Sequence, residues 1–258
     1  MSKTLGIIIP YRDRAEHLAE LIPQLDNFFS HSGIDARVLI SEQAGDLPFN
    51  RGFVNNAGFY ALAPYVDYVC FHDVDLLPEE ADYRLSEWPA MVISDGLNSS
   101  FTPEFIRQLF SAVVLMDKAH FCSTNGFSND YWGWGFEDVD LRERLLRVGC
   151  NIEHRSGRFR RLSHVDAGSF PDGKPTSAHL RNKSRYVDLW FEQVAQGFIR
   201  KRRTDDFWTR DGLSNLASIQ KVHWRRPLPQ TEYIIAEHIL VEPLHRPQTM
   251  DVEKLPIA

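Results

Sequence analysis

Hydrophobic positions in the first third of the chain predict strands and helices in alternation. Three continuous apolar runs are typical of buried strands, at residues 5–10, 36–40 and 65–71. Between them, apolar residues recur at the three- and four-residue spacing of an amphipathic helix over 16–29 and 49–62. This order favours an α/β fold with an open, mainly parallel sheet and crossover helices.

The second half of the chain shows a less regular pattern. Acidic residues within 137–140, followed by arginines at 142, 144 and 147, predict a helix over 137–148, because this charge distribution complements the helix dipole. Residues 231–241 alternate loosely and are typical of a strand near the C-terminus. Residues 167–184 are rich in Gly, Pro, Ser and Lys, so we expect a long loop there, of the kind that often covers a binding site.

Composition excludes some classes of function without selecting one. The 258 residues, 43% hydrophobic and 25% charged, are typical of one globular domain. The net charge of −6 gives no reason to expect a nucleic-acid partner. The three cysteines lack the spacing of a disulfide framework or a zinc site. The N-terminal apolar run is too short for a signal peptide or a membrane span, so we expect a cytoplasmic protein.

Two aspartates, Asp73 and Asp75, directly follow the third predicted strand. Ligands of such sheets bind beyond the carboxyl ends of the strands, and carboxylates at this spacing can approach one Mg²⁺ or Mn²⁺ ion. An isolated pair of this kind is more often an ordinary acidic turn. The chain has no GxGxxG or GxxxxGK[ST] phosphate cradle, so a diphosphate ligand would need a metal and cations such as Arg12, Arg14 and Arg51.

The segment 125–140 is the richest in candidate chemistry. Trp132 and Trp134 alternate with glycines just before the acidic residues Glu137 and Asp138. Glycine lets the backbone approach a ligand closely, and tryptophan offers a flat apolar face for a sugar. Core packing of the tryptophans and helix-dipole effects for the acids remain open as simpler explanations. His164 is a candidate metal ligand, although a lone histidine is more often an ordinary residue.

Together these segments resemble the β-1,4-galactosyltransferase family. The matching pieces span most of the chain, and Tyr-Trp-Gly-Trp-Gly with Glu-Asp and Phe-His-Asp-Val-Asp-Leu-Leu-Pro are specific. They are residues 8–14, 49–52, 56, 58–59, 71–78, 125–127, 131–135, 137–138, 164 and 211–216.

The resemblance implies a GT-A fold in one domain over 1–258, with a nucleotide-sugar-binding half (1–100) and an acceptor-binding, catalytic half (101–258). It implies Mn²⁺ as cofactor, bound by Asp75 and His164. It also implies a UDP-sugar donor contacted by Pro10, Arg12, Arg14, Phe49, Arg51, Asp73, Val74, Leu109 and Trp134.

By the same resemblance, Asp138 is the catalytic base and Glu137 its neighbour at the acceptor sugar. The carbohydrate or lipid-linked glycan acceptor would contact Trp132, Gly135, Phe136, Glu137 and Asp138. Asp138 would take the proton of an acceptor hydroxyl while that oxygen displaces UDP, so the anomeric centre inverts and a β-linkage forms. The expected activity is transfer of galactose or N-acetylgalactosamine, plausibly in the synthesis of surface polysaccharide.

Three positions depart from the animal members of the family. Where these have a third metal ligand, a methionine or another histidine, this chain has Arg161 and Leu162. Val139 replaces an acid that helps bind the acceptor, which makes the segment similar to chondroitin-type N-acetylgalactosaminyltransferases. Leu109 stands where galactose-specific members have a tyrosine, and the shorter side chain leaves room for an N-acetyl group. The donor is therefore open between UDP-Gal and UDP-GalNAc.

Other functions are considered beside this one. A phosphohydrolase of the haloacid dehalogenase type also places two aspartates after a strand, but it would leave residues 131–135 without a role. A non-catalytic module that binds sugar or UDP-sugar would keep the fold without turnover. We expect a bacterial, cytoplasmic member. Peripheral membrane contact through Trp208, Trp224 and the basic run 200–203 is left open, as is the oligomeric state.

Overall fold

The computed structural model describes residues 3–94, 108–163, 174–193, 200–228 and 231–244. Its strands are β1 Leu5–Tyr11, β2 Ala36–Gln43, β3 Tyr68–His72, β4 Leu76–Ala81, β5 Ala90–Ser94, β6 Val113–Asp117, β7 Glu153–Arg161, β8 Phe191–Gln193, β9 Arg200–Arg202, β10 Gln220–Pro227 and β11 Ile235–Pro243. Its α-helices are α1 Ala15–Ser32, α2 Arg51–Leu62, α3 Lys118–Ser123, α4 Glu137–Arg147, α5 Ser177–Trp190 and α6 Leu213–Ile219.

Nine strands form one sheet in the order β10-β11-β2-β1-β3-β6-β5-β7-β4. The neighbouring strands β11, β2, β1 and β3 are parallel, whereas β6 is antiparallel to β3 and β4 is antiparallel to β7. β8 and β9 form a separate two-stranded sheet. The parallel strands and their crossover helices confirm the α/β prediction, and they direct the carboxyl ends of β1 and β3 toward one edge.

Helices cover both faces of the sheet because alternate strand residues point to opposite sides. On one face, Ile7 and Ile9 of β1 pack in a core cluster with Leu21 and Leu25 of α1. On the other, Ile8 of β1 belongs to a second cluster with residues of α2 and α4: Phe53, Val54, Ala57, Leu141 and Leu145. The second cluster therefore joins the elements that carry most of the predicted site.

The structure confirms the five elements predicted in the first third of the chain and the helix from Glu137. The predicted terminal strand is also present, as β11. The prediction of a loop over 167–184 is wrong for its last part, where α5 begins at Ser177. Residues 164–173 lie outside the described residues. The division into halves near residue 100 stays a prediction.

Two further findings concern membranes. Among the residues that the structure describes, no helix combines the length and the apolar character needed to cross a membrane. Trp208 is only 7% exposed, so its ring packs inside the protein and cannot take part in a peripheral membrane contact. Such a contact by Trp224 and the basic run stays a prediction.

Candidate active site

The ends of β3 and α2 bring a cation and a carboxylate together. Asp73 follows His72, the last residue of β3, at the carboxyl edge of the sheet. Arg51 begins α2 and donates to Asp73 Oδ1 from Nε at 3.1 Å and from Nη2 at 2.6 Å. The N-cap of α2 fixes the start of this helix, since the Asn50 side chain accepts from the backbone N–H of Phe53 at 2.8 Å.

Helix α4 brings a second acid to the same arginine. Glu137 begins α4, and its Oε1 lies 3.6 Å from Arg51 Nη1. Burial, with repulsion from Asp138, raises the pKa of Glu137 to about 7, although Arg51 opposes the shift. Glu137 Oε2 is buried without a hydrogen-bond partner in the described part of the chain. This oxygen is therefore available to a ligand at the site.

Asp138, the predicted base, lies beside Glu137 in the first turn of α4. It is partly buried, and its Oδ1 accepts a hydrogen bond from the backbone N–H of Val139 at 2.8 Å. Burial works against the charge on Arg51, but attraction to Asp73, Glu137 and Asp138 outweighs it and raises the pKa of the guanidinium. One largely buried arginine therefore interacts with three of the four acids that the sequence singled out.

Asp75 is buried in the turn between β3 and β4. Its carbonyl accepts from the backbone N–H of Leu162 at 2.8 Å, and its carboxylate Oδ2 lies 3.6 Å from Arg161 Nε. A shielded carboxylate at a strand end suits a hard divalent cation. Within the described ranges, no three acidic, histidine or cysteine side chains are grouped so that they could hold a metal ion, and His164 lies outside these ranges. The described residues thus fit part of a metal site.

Helix α5 packs against the loop 131–136 and fixes its position through hydrogen bonds. The buried Asn182 donates from Nδ2 to three carbonyl oxygens of this loop, those of Trp132 at 3.3 Å, Trp134 at 3.2 Å and Gly135 at 3.0 Å. Gly133 has a positive φ of 79°, and a Cβ there would lie 2.8 Å from the Cβ of Ala178. The loop can therefore lie this close to α5 only because glycine occupies this position.

The aromatic residues of the loop differ in exposure. Trp134 is 44% exposed and stacks on His179 of α5 with ring centroids 5.0 Å apart. Phe136 has a positive φ of 75° and packs near the rings of His179 and Tyr186. Trp132 is only 4% exposed, so the expectation that it offers an open face to a sugar is wrong in this conformation. Trp134 presents the accessible indole.

A buried polar network fixes the segment before this loop. Asn56 of α2 donates to Phe127 O and Asn129 Oδ1, both at 2.8 Å. Asp211 accepts from the backbone N–H of Asn129 at 2.9 Å and from the Ser128 hydroxyl. The segment 211–216 carried only the family resemblance and no predicted role, and Asn182 was not predicted. Asp211 and Asn182 follow no periodic sequence pattern, so no such pattern could have indicated their contacts.

Four other predicted donor-site residues lie in or just after β1 and in the connection between β2 and α2. Arg12 donates to Leu47 O at 2.6 Å, and its guanidinium lies 5.5 Å from the centroid of the Phe49 ring. Pro10 is buried within β1, and Arg14 immediately precedes α1. The Arg12–Phe49 pair is the part of this group that could contact a nucleotide base or phosphate.

Val74 and Leu109 are both engaged in packing. Val74 is buried in the core cluster on the α1 face, so only its backbone can line a donor site. Leu109 packs against the other cluster, and its carbonyl accepts from His154 Nε2 at 3.0 Å. Asp73 N donates to the carbonyl of Ala112 at 3.0 Å, which places the chain just after Leu109 beside the aspartate pair.

Comparisons with known proteins identify the family of this chain. A family model for the N-terminal region of glycosyl transferase group 7 matches residues 1–86, and one for the N-terminal domain of galactosyltransferase matches residues 94–167. The chain is 35% identical to human Beta-1,4-galactosyltransferase 1 over 216 residues, 82% of this chain and 50% of that protein. The chain belongs to the β-1,4-galactosyltransferase family.

Solved structures of other proteins share the fold of this chain. The catalytic domain of Drosophila beta1,4-galactosyltransferase 7 in complex with xylobiose matches with a TM-score of 0.70 and 21% identity, over 93% of this chain and 94% of that one. A mutant of the Drosophila protein, with manganese, UDP-Gal and xylobiose, matches with a TM-score of 0.69 and 22% identity over the same shares. The fold is therefore that of the GT-A glycosyltransferases.

The relatives do not all transfer one sugar. The Beta-N-acetyl-D-glucosaminide beta-1,4-N-acetylglucosaminyl-transferase of Lymnaea stagnalis is 36% identical over 63% of this chain and 35% of its own length. The chain spans about a third to two thirds of the length of the curated relatives it matches, for example 64% of Drosophila Beta-1,4-galactosyltransferase 7. These relatives are animal proteins, and the comparisons give no support to the expected bacterial, cytoplasmic character. Family membership alone therefore leaves the donor open.

Proposed function

We propose that this chain is an inverting, Mn²⁺-dependent glycosyltransferase that transfers galactose or N-acetylgalactosamine from a UDP-sugar to a hydroxyl of a sugar acceptor, forming a β-linkage. The observation that carries the proposal is the contact of Arg51 with both Asp73 and Glu137, which joins the ends of β3, α2 and α4. Arg51 also attracts Asp138 of α4, so Asp138 and Asp73 interact with the same cation.

Binding of the donor would use the cations at this edge of the sheet. Arg12 with Phe49 offers a guanidinium and a ring to the uridine and diphosphate, with Arg14 nearby in sequence. Trp134 is the exposed indole that would close over the diphosphate. Asp75 and His164 would hold Mn²⁺, which supplies Lewis-acid neutralisation of the charge that develops on the leaving UDP.

The acids of α4 would act on the acceptor. Glu137 Oε2, buried and without a partner in the described structure, would accept a hydrogen bond from an acceptor hydroxyl. Asp138 would remove the proton of the attacking hydroxyl, a contribution of roughly 10²–10⁴-fold for a general base. The acceptor oxygen forms its bond to the anomeric carbon as the bond to UDP breaks on the opposite face, so an α-linked donor gives a β-linked product.

Donor choice is proposed to depend on Leu109. A leucine occupies less space than a tyrosine, so UDP-GalNAc would be accepted together with UDP-Gal. Replacing Leu109 by tyrosine should lower the use of UDP-GalNAc relative to UDP-Gal about tenfold or more, because the larger ring would crowd the 2-acetamido group. The measurement is kcat/KM for both donors. An unchanged ratio would show that Leu109 does not contact the donor's 2-position.

UDP release tests the proposed function directly. Purified protein would be given UDP-Gal, UDP-GalNAc, UDP-Glc or UDP-GlcNAc with a set of simple sugar acceptors, in Mn²⁺ and then in EDTA. We expect release from a galacto-configured donor that EDTA abolishes. Asp138→Asn should abolish transfer and keep UDP-sugar binding. The matched control is Asp205→Asn, an exposed aspartate that contacts the C-terminal end of α4.

Two results would contradict the proposal. UDP-sugar binding by the wild-type protein without transfer to any acceptor would instead favour a non-catalytic sugar-binding module. Transfer that persists in EDTA would remove the metal from the mechanism. We also propose a role in surface polysaccharide synthesis and a cytoplasmic location. The acceptor that the assay identifies tests the role in polysaccharide synthesis.

A further inference from the structure

An arginine lies against the predicted metal ligand Asp75. The Nε of Arg161 is 3.6 Å from Asp75 Oδ2. Sheet pairing sets this approach, since Arg161 of β7 lies opposite Leu76 of β4 and the backbone N–H of Leu162 donates to Asp75 O at 2.8 Å. Hydrogen bonds between the backbones of β4 and β7 therefore bring the two side chains together.

The two partners differ in exposure. The Asp75 side chain is 10% exposed, whereas that of Arg161 is 48% exposed. The carboxylate is therefore largely shielded, while the arginine keeps its guanidinium at the boundary with solvent, where a ligand can reach it. The next residue, Arg160, forms its ion pair elsewhere, with Glu20 at 3.0 Å. Arg161, and not Arg160, is thus the arginine of β7 whose charge acts on Asp75.

A guanidinium and a divalent cation compete for one carboxylate. While Arg161 neutralises Asp75, an arriving cation must displace it and meets like-charge repulsion at close range. The diphosphate of a nucleotide reverses this balance, because its negative charge offers the guanidinium another partner. Arginine is well suited to such an exchange, since its fork binds carboxylate and phosphate alike.

We propose that Arg161 is a positioning residue that couples divalent-cation binding to nucleoside-diphosphate binding. Without nucleotide, Arg161 pairs with Asp75 and weakens binding of the cation. When cation and nucleotide bind together, the guanidinium leaves Asp75 for the diphosphate. This inference rests on the proposed function, because it takes Asp75 as a metal ligand and a UDP-sugar as donor.

The test is Mn²⁺ binding, measured from the EPR signal of free Mn²⁺ with and without UDP. The variants are Arg161→Leu, Arg161→Lys and the control Arg160→Leu; leucine removes the charge without offering a metal ligand. For Arg161→Leu we expect Mn²⁺ alone to bind about three- to fivefold more tightly, the scale of a partly exposed ion pair. The increase in Mn²⁺ affinity caused by UDP should shrink. Arg161→Lys, which keeps the charge, and Arg160→Leu should stay close to the wild type.

Each other outcome decides against the inference. Mn²⁺ affinity that is unchanged or weaker in Arg161→Leu, while the wild type binds Mn²⁺ normally, overturns the inference and leaves the proposed function standing. Tighter binding in Arg161→Lys as well would exclude charge as the cause. A wild-type protein that binds no Mn²⁺ with or without UDP overturns both the inference and the metal-dependent function.

Discussion

The ionised form of Glu137 is unfavourable at its buried position. Burial and the neighbouring Asp138 raise its pKa to about 7 from a reference of 4.5, against the attraction of Arg51. Between these two pH values the folded chain binds a proton that the unfolded chain has released. The contribution of Glu137 to stability is therefore greatest below about pH 4.5 and is lost as the pH rises through about 7.

We predict that Glu137→Gln lessens this loss, because glutamine cannot ionise. The free energy of unfolding would be measured by urea titration at about pH 5 and at about pH 8, without metal. From the lower to the higher pH it should fall more for the wild type than for Glu137→Gln. The difference should be on the order of 1–3 kcal/mol. Other titrating groups, such as Asp130, are common to both proteins and cancel. An equal loss in the two proteins would show that Glu137 is ionised throughout this range.

His72 supports the carboxylate pair from within the core. Its Nδ1 lies 2.9 Å from the carbonyl oxygen of Asp73, which can only accept, so Nδ1 carries the proton. Its Nε2 then accepts from the Tyr83 hydroxyl at 2.9 Å. Burial lowers the pKa of His72 to about 4, so the ring is neutral at physiological pH and holds the Asp73 backbone through one hydrogen bond.

We predict that Tyr83→Phe lowers the free energy of unfolding by about 1–2 kcal/mol, because it leaves a buried imidazole nitrogen without its donor. Urea unfolding at neutral pH is the measurement. Tyr60→Phe, at a tyrosine that is 65% exposed, is the control and should change little. Equal effects of the two substitutions would mean that the His72–Tyr83 hydrogen bond contributes nothing to stability.

At the scale of elements, helix α5 and the loop 131–136 act together. The N-cap Thr176 begins α5 by accepting from the backbone N–H of His179 at 3.2 Å. One helical turn later, Asn182 reaches the carbonyls of the loop, and Trp134 stacks on His179. The position of the loop next to the acids of α4 therefore depends on a helix that follows it by some forty residues.

We predict that Asn182→Ala lowers kcat/KM about tenfold, because the loop loses three hydrogen bonds and its positioning loosens. Steady-state kinetics with the donor that the protein uses is the measurement, together with the melting temperature. Lys183→Ala, at the exposed neighbour, should leave both unchanged. A lower melting temperature with unaltered kcat/KM would restrict Asn182 to a structural role.

Sequence patterns predicted some elements and not others for a physical reason. β1, β2, β3 and α2 bury most of their residues, so their apolar runs are visible. β7 and β10 bury few side chains and contain several charged residues, so no apolar period marks them. Helix α5 buries only Asn182 and Trp190, so its sequence shows no clear apolar period. The turn-forming residues before it therefore favoured the prediction of a loop.

The candidate site was partly predictable in the same sense. The residue types and their order indicated acids, arginines and aromatic residues of one family site. The contacts between them join distant parts of the chain, as in Arg51 with Glu137 or Arg161 with Asp75. No local pattern encodes such pairs, because they depend on how the strands are ordered in the sheet.

At the scale of the whole molecule, the C-terminal strands complete the sheet that carries the site. β11 lies beside β2 in parallel register, and β10 forms the outer strand next to it. Ile239 of β11 is 1% exposed and belongs to the same core cluster as α2 and α4. The first and last parts of the chain therefore share one core.

We predict that Ile239→Ala lowers the free energy of unfolding by about 2–4 kcal/mol through the cavity that it leaves. Ile235→Ala, in the same strand but at a residue that is 51% exposed, should change it by less than about 0.5 kcal/mol. Urea unfolding followed by tryptophan fluorescence and by circular dichroism should give one coincident transition. Separate transitions would show that the C-terminal strands unfold independently of the rest.

The place of β11 beside β2 has a consequence for synthesis on the ribosome. Ile235 pairs with Arg37, so the parallel edge of β2 stays open until β11, some two hundred residues later, has been translated. Contacts between residues so far apart in sequence form slowly, and an open apolar strand edge can pair with other nascent chains. Production of this protein should therefore benefit from chaperones that shield strand edges and from slow, cool expression, which lengthens the time for the last strand to dock.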